Sequence, residues 1–131
     1  MNIHGKHAIC EIWNADSHRL DDMDYVLTVM REAAAAANAT VRNEACEKFE
    51  PQGLSVVLIL AESHLSIHTY PEYDYAAVDC FTCGSHCDPV AACNYLAQAL
   101  GIETRYNITF LTRPLTFATG DLPCSTSCAH C

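Results

Sequence analysis

Between Lys6 and Trp13 apolar and polar residues mix over strand length, and a first strand is predicted there. Asn14-Ala15-Asp16-Ser17 is a turn by composition. Leu20, Met23, Val26 or Leu27, Met30 and Ala34 then recur at three- and four-residue steps, which predicts a helix over 20–38. Asp21, Asp22 and Asp24 fall in its first turn, where the helix dipole favours anions, and Asn38 is its stop. Residues 39–49 fit a second strand. Glu50-Pro51-Gln52-Gly53 turns the chain. From Leu54 to Ala61 only Ser55 is polar, the mark of a buried strand.

The next stretch, Glu62 to Glu72, alternates differently. Leu65 and Ile67 are separated by polar residues that can act as nucleophile, base or acid. As a strand to about Thr69 it puts Ser63, Leu65 and Ile67 on one face and His64, Ser66 and His68 on the other. A polar-faced strand at a sheet surface is the plainer reading; a catalytic strand is the other. Pro71 breaks the run because it cannot donate to a ladder. Tyr75 to Thr82 is again strand-like. Asp88 as N-cap and Pro89 at the first helical position open a helix whose apolar face is Val90, Cys93, Leu96, Ala97 and Leu100, with Gly101 at its close. Glu103 to Thr112 is the last strand.

These elements describe an α+β fold: a two-layer sandwich with an antiparallel sheet of about four to five strands and two helices on one face. One sheet face is left bare, and a dimer would cover it. Residues 1–115 form a single domain, and 116–131 a Cys-rich, flexible tail.

Composition narrows the function. At 131 residues one core suffices. A net charge of −9 with no Lys/Arg cluster makes nucleic acid and anionic membranes poor partners. No apolar run reaches spanning length and the N-terminus lacks a signal-peptide pattern, so a cytoplasmic location is expected. Nine cysteines, an odd number without a secretory signal, argue against a disulfide framework and for buried thiols.

Glu62-Ser63 suggests a specific chemistry. A serine hydroxyl can attack the carbonyl before it when the turn is strained and the oxyanion is stabilised. The amide becomes an ester, and removal of the serine α-proton then breaks the chain. The residue left behind hydrolyses to a pyruvoyl group, a ketone that can form a Schiff base with an amine and act as an electron sink. His68, five residues on, is of the residue type that can serve as such a base near neutral pH. A hydrolase also uses Ser and His, but no Gly-x-Ser-x-Gly elbow surrounds Ser63.

Glu62-Ser63-His64-Leu65-Ser66-Ile67-His68-Thr69-Tyr70-Pro71-Glu72, followed by Tyr75-Ala76-Ala77-Val78-Asp79-Cys80-Phe81-Thr82-Cys83-Gly84, resembles the bacterial and archaeal S-adenosylmethionine decarboxylases. The resemblance runs from about His7 to Leu111. It implies a proenzyme that cuts itself between Glu62 and Ser63, giving a β chain of residues 1–62 and an α chain of residues 63–131 whose Ser63 becomes the pyruvoyl cofactor. It further implies His68 as the proton-transfer residue of processing, Cys83 as proton donor to the substrate, and Ser55 as a processing aid. Phe49 and Tyr70 would stack the adenine, and Glu72 would hold the ribose hydroxyls. The implied assembly is a homodimer of αβ units, and the implied role is in polyamine biosynthesis.

The same chemistry on ornithine or arginine is the alternative. Aromatic Phe49 and Tyr70 favour the adenosyl substrate, whereas Glu44, Glu47 and Glu50 make the approach to Phe49 acidic. His64 reads as orienting the loop, His7 as solvated, and Glu11 as either a site or a surface carboxylate. No metal is assigned to the decarboxylase site. Cys124, Cys128 and Cys131, with His130, have a spacing that can hold an iron–sulfur cluster or a soft metal, which gives a non-catalytic binding protein as a further alternative.

Overall fold

A computed structural model describes residues 4–115. Its strands are β1 (His4–Trp13), β2 (Val41–Lys48), β3 (Leu54–Leu60), β4 (Ser63–Tyr70), β5 (Tyr75–Cys83) and β6 (Arg105–Pro114). The helices are α1 (Ser17–Leu20), α2 (Met23–Ala36) and α3 (Pro89–Ala99), with a 3₁₀ turn at Pro71–Tyr73. The strands form one antiparallel sheet in the order β2-β3-β4-β5-β1-β6. The architecture is the predicted α+β sandwich, but with six strands rather than four or five. The six are the six strand-like segments of the sequence, 54–61 and the stretch to Thr69 among them, so the total of four to five fell short of the segments themselves.

The helix predicted over 20–38 is two helices. The Asp22 side chain caps α2 by accepting from the Tyr25 N–H, and Asp21 closes α1, so only Asp24 lies in the first turn of α2. Asn38 ends the segment in the left-handed conformation at φ 61°. Asp88 and Pro89 open α3 as expected, with the Asp88 carboxylate accepting from the Val90 N–H.

Helices α2 and α3 cover one sheet face. Val26, Met30, Ala33, Cys93 and Leu96 bury themselves against Cys10, Val56, Leu58, Leu65, Ile67, Val78 and Cys80. Thr82 continues the helix-facing alternation of Val78 and Cys80, whereas its cross-strand partner Ser63, at φ 145°, departs from the alternation of Leu65 and Ile67 expected of it and sets its hydroxyl beside Cys83. The other face carries His7, His64, Ser66, His68 and Asp79 with no second layer over it among the described residues, and exposes Trp13, Ile59, Tyr70 and Leu111. The cysteines of the described residues are all free, and Cys10, Cys80, Cys87 and Cys93 are buried. Cys124, Cys128, Cys131 and His130 lie outside the described residues.

Candidate active site

The residues singled out in the sequence fall into two groups at opposite ends of β4. Glu62, Ser63 and Cys83 meet at one end. Phe49, Ser55, His68, Tyr70 and Glu72 meet at the other, where they line a cleft of about 490 Å³. That volume suits a ligand of nucleoside size. Ser63 and His68 are five residues apart on one strand, about 17 Å by strand rise. Within one chain His68 does not reach Ser63.

At the first end the β3–β4 hairpin turns through Ala61 and Glu62. Ser63 sits at φ 145°, a conformation an L-residue other than glycine rarely adopts, so backbone strain is stored at this peptide. The backbone N–H of Cys83 donates to the carbonyl oxygen of Glu62 at 2.9 Å, and the Cys83 Sγ lies 3.6 Å from the Ser63 Oγ. A carbonyl polarised by an N–H, a strained peptide and a hydroxyl next in the chain are what an intramolecular acyl shift requires.

The Glu62 side chain is anchored separately. Its Oε1 accepts from the Thr40 N–H at 3.0 Å and its Oε2 pairs with His86 Nε2 at 2.9 Å. The Thr40 N–H, and after it His86, hold this carboxyl below the usual range. The Ala61 N–H adds a bond to the Thr40 carbonyl at 2.8 Å. The hairpin is thus pinned on the N-terminal side of the Glu62–Ser63 bond.

At the second end the Ser55 Oγ and His68 Nδ1, cross-strand partners on β3 and β4, are 2.7 Å apart. Phe49 stands at the start of the β2–β3 connection, where its N–H donates to the Gly53 carbonyl; Gly53 supplies the φ of 102° that this turn requires. Tyr70 continues into a row of rings across the bare face, 5.6 Å from Tyr75, which is itself 6.4 Å from Trp13. The Tyr75 hydroxyl donates to Glu11, and burial together with that carboxylate pushes the phenol up to about 12.

Between the two ends lies a network whose centre, Asp79, had no role in the sequence reading. Its Oδ2 accepts from both His7 Nε2 and His64 Nε2 at 2.8 Å, and its Oδ1 accepts from the Ser66 hydroxyl. Burial pushes the Asp79 carboxyl upward, but the hydrogen bonds from His64, Ser66 and His7 together outweigh it and hold the group well below the usual carboxylate range. His7 is therefore half-buried and paired, not solvated as its sequence context suggested. His64 is held by the same carboxylate. Two trios bring ligand atoms within 4.8 Å of one another and so have the composition of metal sites: His7, His64 and Asp79, and Glu62, His86 and Cys87.

Sequence reasoning missed Asp79 and His86 because their partners are distant along the chain. It missed the Cys83 N–H because a backbone donor has no residue-type signature. Among the described residues no helix is long and apolar enough to cross a membrane.

Comparison with known proteins bears on the whole domain. Residues 6–114 match the family model described as S-adenosylmethionine decarboxylase. The chain is 45% identical over 108 residues to the S-adenosylmethionine decarboxylase proenzyme of Anoxybacillus flavithermus, covering 82% of this chain and 86% of the relative. The proenzyme of the same name from Geobacillus kaustophilus is equally similar, at 45% with the same coverage. The crystal structure of the adenosylmethionine decarboxylase from Aquifex aeolicus superposes with a TM-score of 0.79 at 28% identity, covering 89% of this chain and 96% of that one. This chain belongs to the S-adenosylmethionine decarboxylase family.

Proposed function

We propose that the chain is a proenzyme that cuts itself at Glu62–Ser63, converts Ser63 to a pyruvoyl group and decarboxylates S-adenosylmethionine. The observation that carries this reading is the Cys83 N–H directed at the Glu62 carbonyl oxygen beside a strained Ser63. In the first step the Ser63 Oγ bonds to the Glu62 carbonyl carbon while the carbon–nitrogen bond breaks. The hydroxyl proton ends on the Ser63 nitrogen, and the developing oxyanion accepts from the Cys83 N–H. A base then removes the Ser63 α-proton, and the oxygen departs with the new Glu62 carboxylate, giving chains 1–62 and 63–131; the dehydroalanine left at position 63 takes up water and loses its nitrogen as ammonia, which leaves the pyruvoyl group.

The donor set fits a pyruvoyl group at position 63. The bound group supplies an electron sink for the carboxylate loss of an amine-bearing substrate. Cys83 stands beside it to return a proton to the substrate carbon. Phe49 and Tyr70 offer faces to an adenine, and Glu72 offers a carboxylate to ribose hydroxyls, within one cleft. Glu44 is occupied by Arg31, with contacts of 2.6 and 2.7 Å, which weakens the case for an acidic subsite that would select ornithine or arginine.

Separation of His68 from Ser63 within one chain favours a homodimer in which each active site is shared. A two-fold axis near the middle of β4, with bare faces together, would bring the Ser55–His68 cleft of one copy to the Ser63–Cys83 end of the other. It would also cover Ile59, Trp13 and Leu111.

Denaturing mass spectrometry of the purified protein tests the proposal. Two fragments split before residue 63, the second with a blocked start, are expected, and Ser63→Ala should stay whole. An uncut wild-type chain without activity would sink the reading. Assays on S-adenosylmethionine, ornithine and arginine separate the substrates; a preference for either basic amino acid removes the first while sparing the mechanism.

A further inference from the structure

His86 and Cys87 stand beside the Glu62–Ser63 peptide, yet the cleavage and decarboxylation steps give them no part. Glu62 Oε2 pairs with His86 Nε2 at 2.9 Å, and the Sγ of the buried Cys87 completes a trio whose ligand atoms all lie within 4.8 Å of one another. An imidazole–carboxylate pair at the surface contributes little to stability. A buried free thiol ordinarily behaves as a small hydrophobe, which a carboxylate and an imidazole do not suit as neighbours. Packing alone gives little reason for the three to converge.

Each member of the trio is also held from behind, as metal ligands are. The Thr40 N–H donates to the other Glu62 oxygen at 3.0 Å. Asn38 holds the His86-Cys87 pair: its Nδ2 donates to the His86 carbonyl at 3.0 Å, and its own carbonyl accepts from the Cys87 Sγ at 3.4 Å. Lys6 Nζ donates to the Cys87 carbonyl at 3.2 Å, and the Asp88 N–H donates to the Ala37 carbonyl at 3.0 Å. A Cβ on Gly84 would lie 3.3 Å from both Cε1 and Nδ1 of His86, so glycine at this position, where φ is 95°, leaves room for the ring. The ring is thereby set with Nε2 toward Glu62.

We propose that Glu62, His86 and Cys87 bind one zinc-class divalent cation across the cleavage point, through a carboxylate oxygen, Nε2 and Sγ. A thiolate, an imidazole and a carboxylate together suit zinc, whereas magnesium and calcium take oxygen donors. Ligand atoms around a tetrahedral zinc lie about 3.3–3.8 Å apart, so side-chain movements of about 1 Å bring the trio to that spacing. The Cys87 thiol gives its proton to solvent as Sγ bonds to the metal, and the exposed side of His86 leaves the fourth position to water. Glu62 ends the chain 1–62 while His86 and Cys87 belong to the chain 63–131, so the ion joins the two chains after the cut. That bridging rests on the self-processing reading; the binding itself does not.

The test titrates the full-length Ser63→Ala protein, which keeps all three ligands, with zinc against a chelating indicator and with cobalt(II), whose thiolate charge-transfer band reports a metal–sulfur bond. Cys87→Ser should remove the band of one equivalent. Glu62→Gln and His86→Ala should each weaken uptake about tenfold or more, since even outer-shell partners of a metal are worth that much. His86 is exposed, so His86→Ala reports on the site even if the buried Cys87 resists replacement. Replacing Cys124, Cys128 and Cys131 by serine should leave this equivalent in place. Uptake that survives His86→Ala but vanishes with those three cysteines overturns the inference, and so does the lack of any cobalt–sulfur band. In cleaved wild-type enzyme, zinc should raise the urea midpoint at which the two chains separate, and His86→Ala should cancel the rise. A midpoint indifferent to zinc overturns the bridge. A wild-type chain that never cleaves sinks self-processing itself, and the Ser63→Ala titration still decides the metal.

Discussion

Cys83 meets Glu62 through its backbone, its N–H 2.9 Å from the carbonyl oxygen, while its thiol faces Ser63. The two contacts serve different steps of the proposed chemistry, so they are separable. Cys83→Ala keeps the N–H and removes only the thiol. Its self-cleavage is expected to stay within about tenfold of wild type, whereas decarboxylation falls by about 10²–10⁴, the usual worth of a positioned proton donor. Fragment masses and a carbon dioxide release assay on one preparation read both. Equal loss in both would mean that the thiol also drives processing.

The shared site predicts complementation. A His68→Ala chain still carries Ser63 but faces a partner without the base. A Ser63→Ala chain carries the base but no nucleophile. Each alone should remain uncut. Refolded together, about half of the His68→Ala chains enter mixed dimers and should be cut there, since the partner's histidine faces their serine. No cutting in the mixture would place His68 in the same chain as the serine it serves, and the dimer geometry would be wrong.

Asp79 ties β1, β4 and β5 together through His7, His64 and Ser66. Its carboxyl is depressed in the folded protein, so the stabilisation it gives is present above the unfolded value near ~3.9 and is lost as pH falls below that toward the folded value. In a Ser63→Ala background, Asp79→Asn should cost about 1–2 kcal/mol in urea unfolding at pH 7, since the pair is partly exposed. The difference should shrink below about pH 4, where Asp79 of the unfolded chain takes up a proton that the folded chain does not. A difference that stays constant to pH 3 would mean that hydrogen-bond shape, not charge, supplies the stability.

Some of this was legible in the sequence. Alternation fixes which side of β4 His64, Ser66 and His68 share, and the Asp88-Pro89 pair marks the start of α3 to the residue. The α2 boundary was not legible, because three aspartates compete for the cap and only packing selects Asp22. The grouping of Phe49, Ser55, His68, Tyr70 and Glu72 into one cleft follows from register between β3 and β4, which a tight hairpin sets and residue types do not. Distance along β4 is why His68 looks near Ser63 in sequence yet is remote in the fold. A backbone group such as the Cys83 N–H shows its role only in the fold, where its partner, the Glu62 carbonyl, is in view.

The cleft gives the most direct check on substrate. Phe49 and Tyr70 are both exposed, at 48% and 42%, with their rings free to receive a planar group. If an adenine lies against them, the ring and not the hydroxyl of Tyr70 matters. Tyr70→Phe should then leave KM for S-adenosylmethionine within about twofold, while Phe49→Ala raises it about tenfold with little change in kcat, the pattern of lost uniform binding. Glu72→Gln should also raise KM, by removing a charged acceptor for the ribose hydroxyls, by about tenfold. Steady-state kinetics on fully cleaved enzyme give these numbers. A Tyr70→Phe variant as impaired as Phe49→Ala would instead assign the work to the phenol. That result would point to a smaller, more polar substrate held by hydrogen bonds, because a stacked adenine is indifferent to one hydroxyl at the rim of the ring.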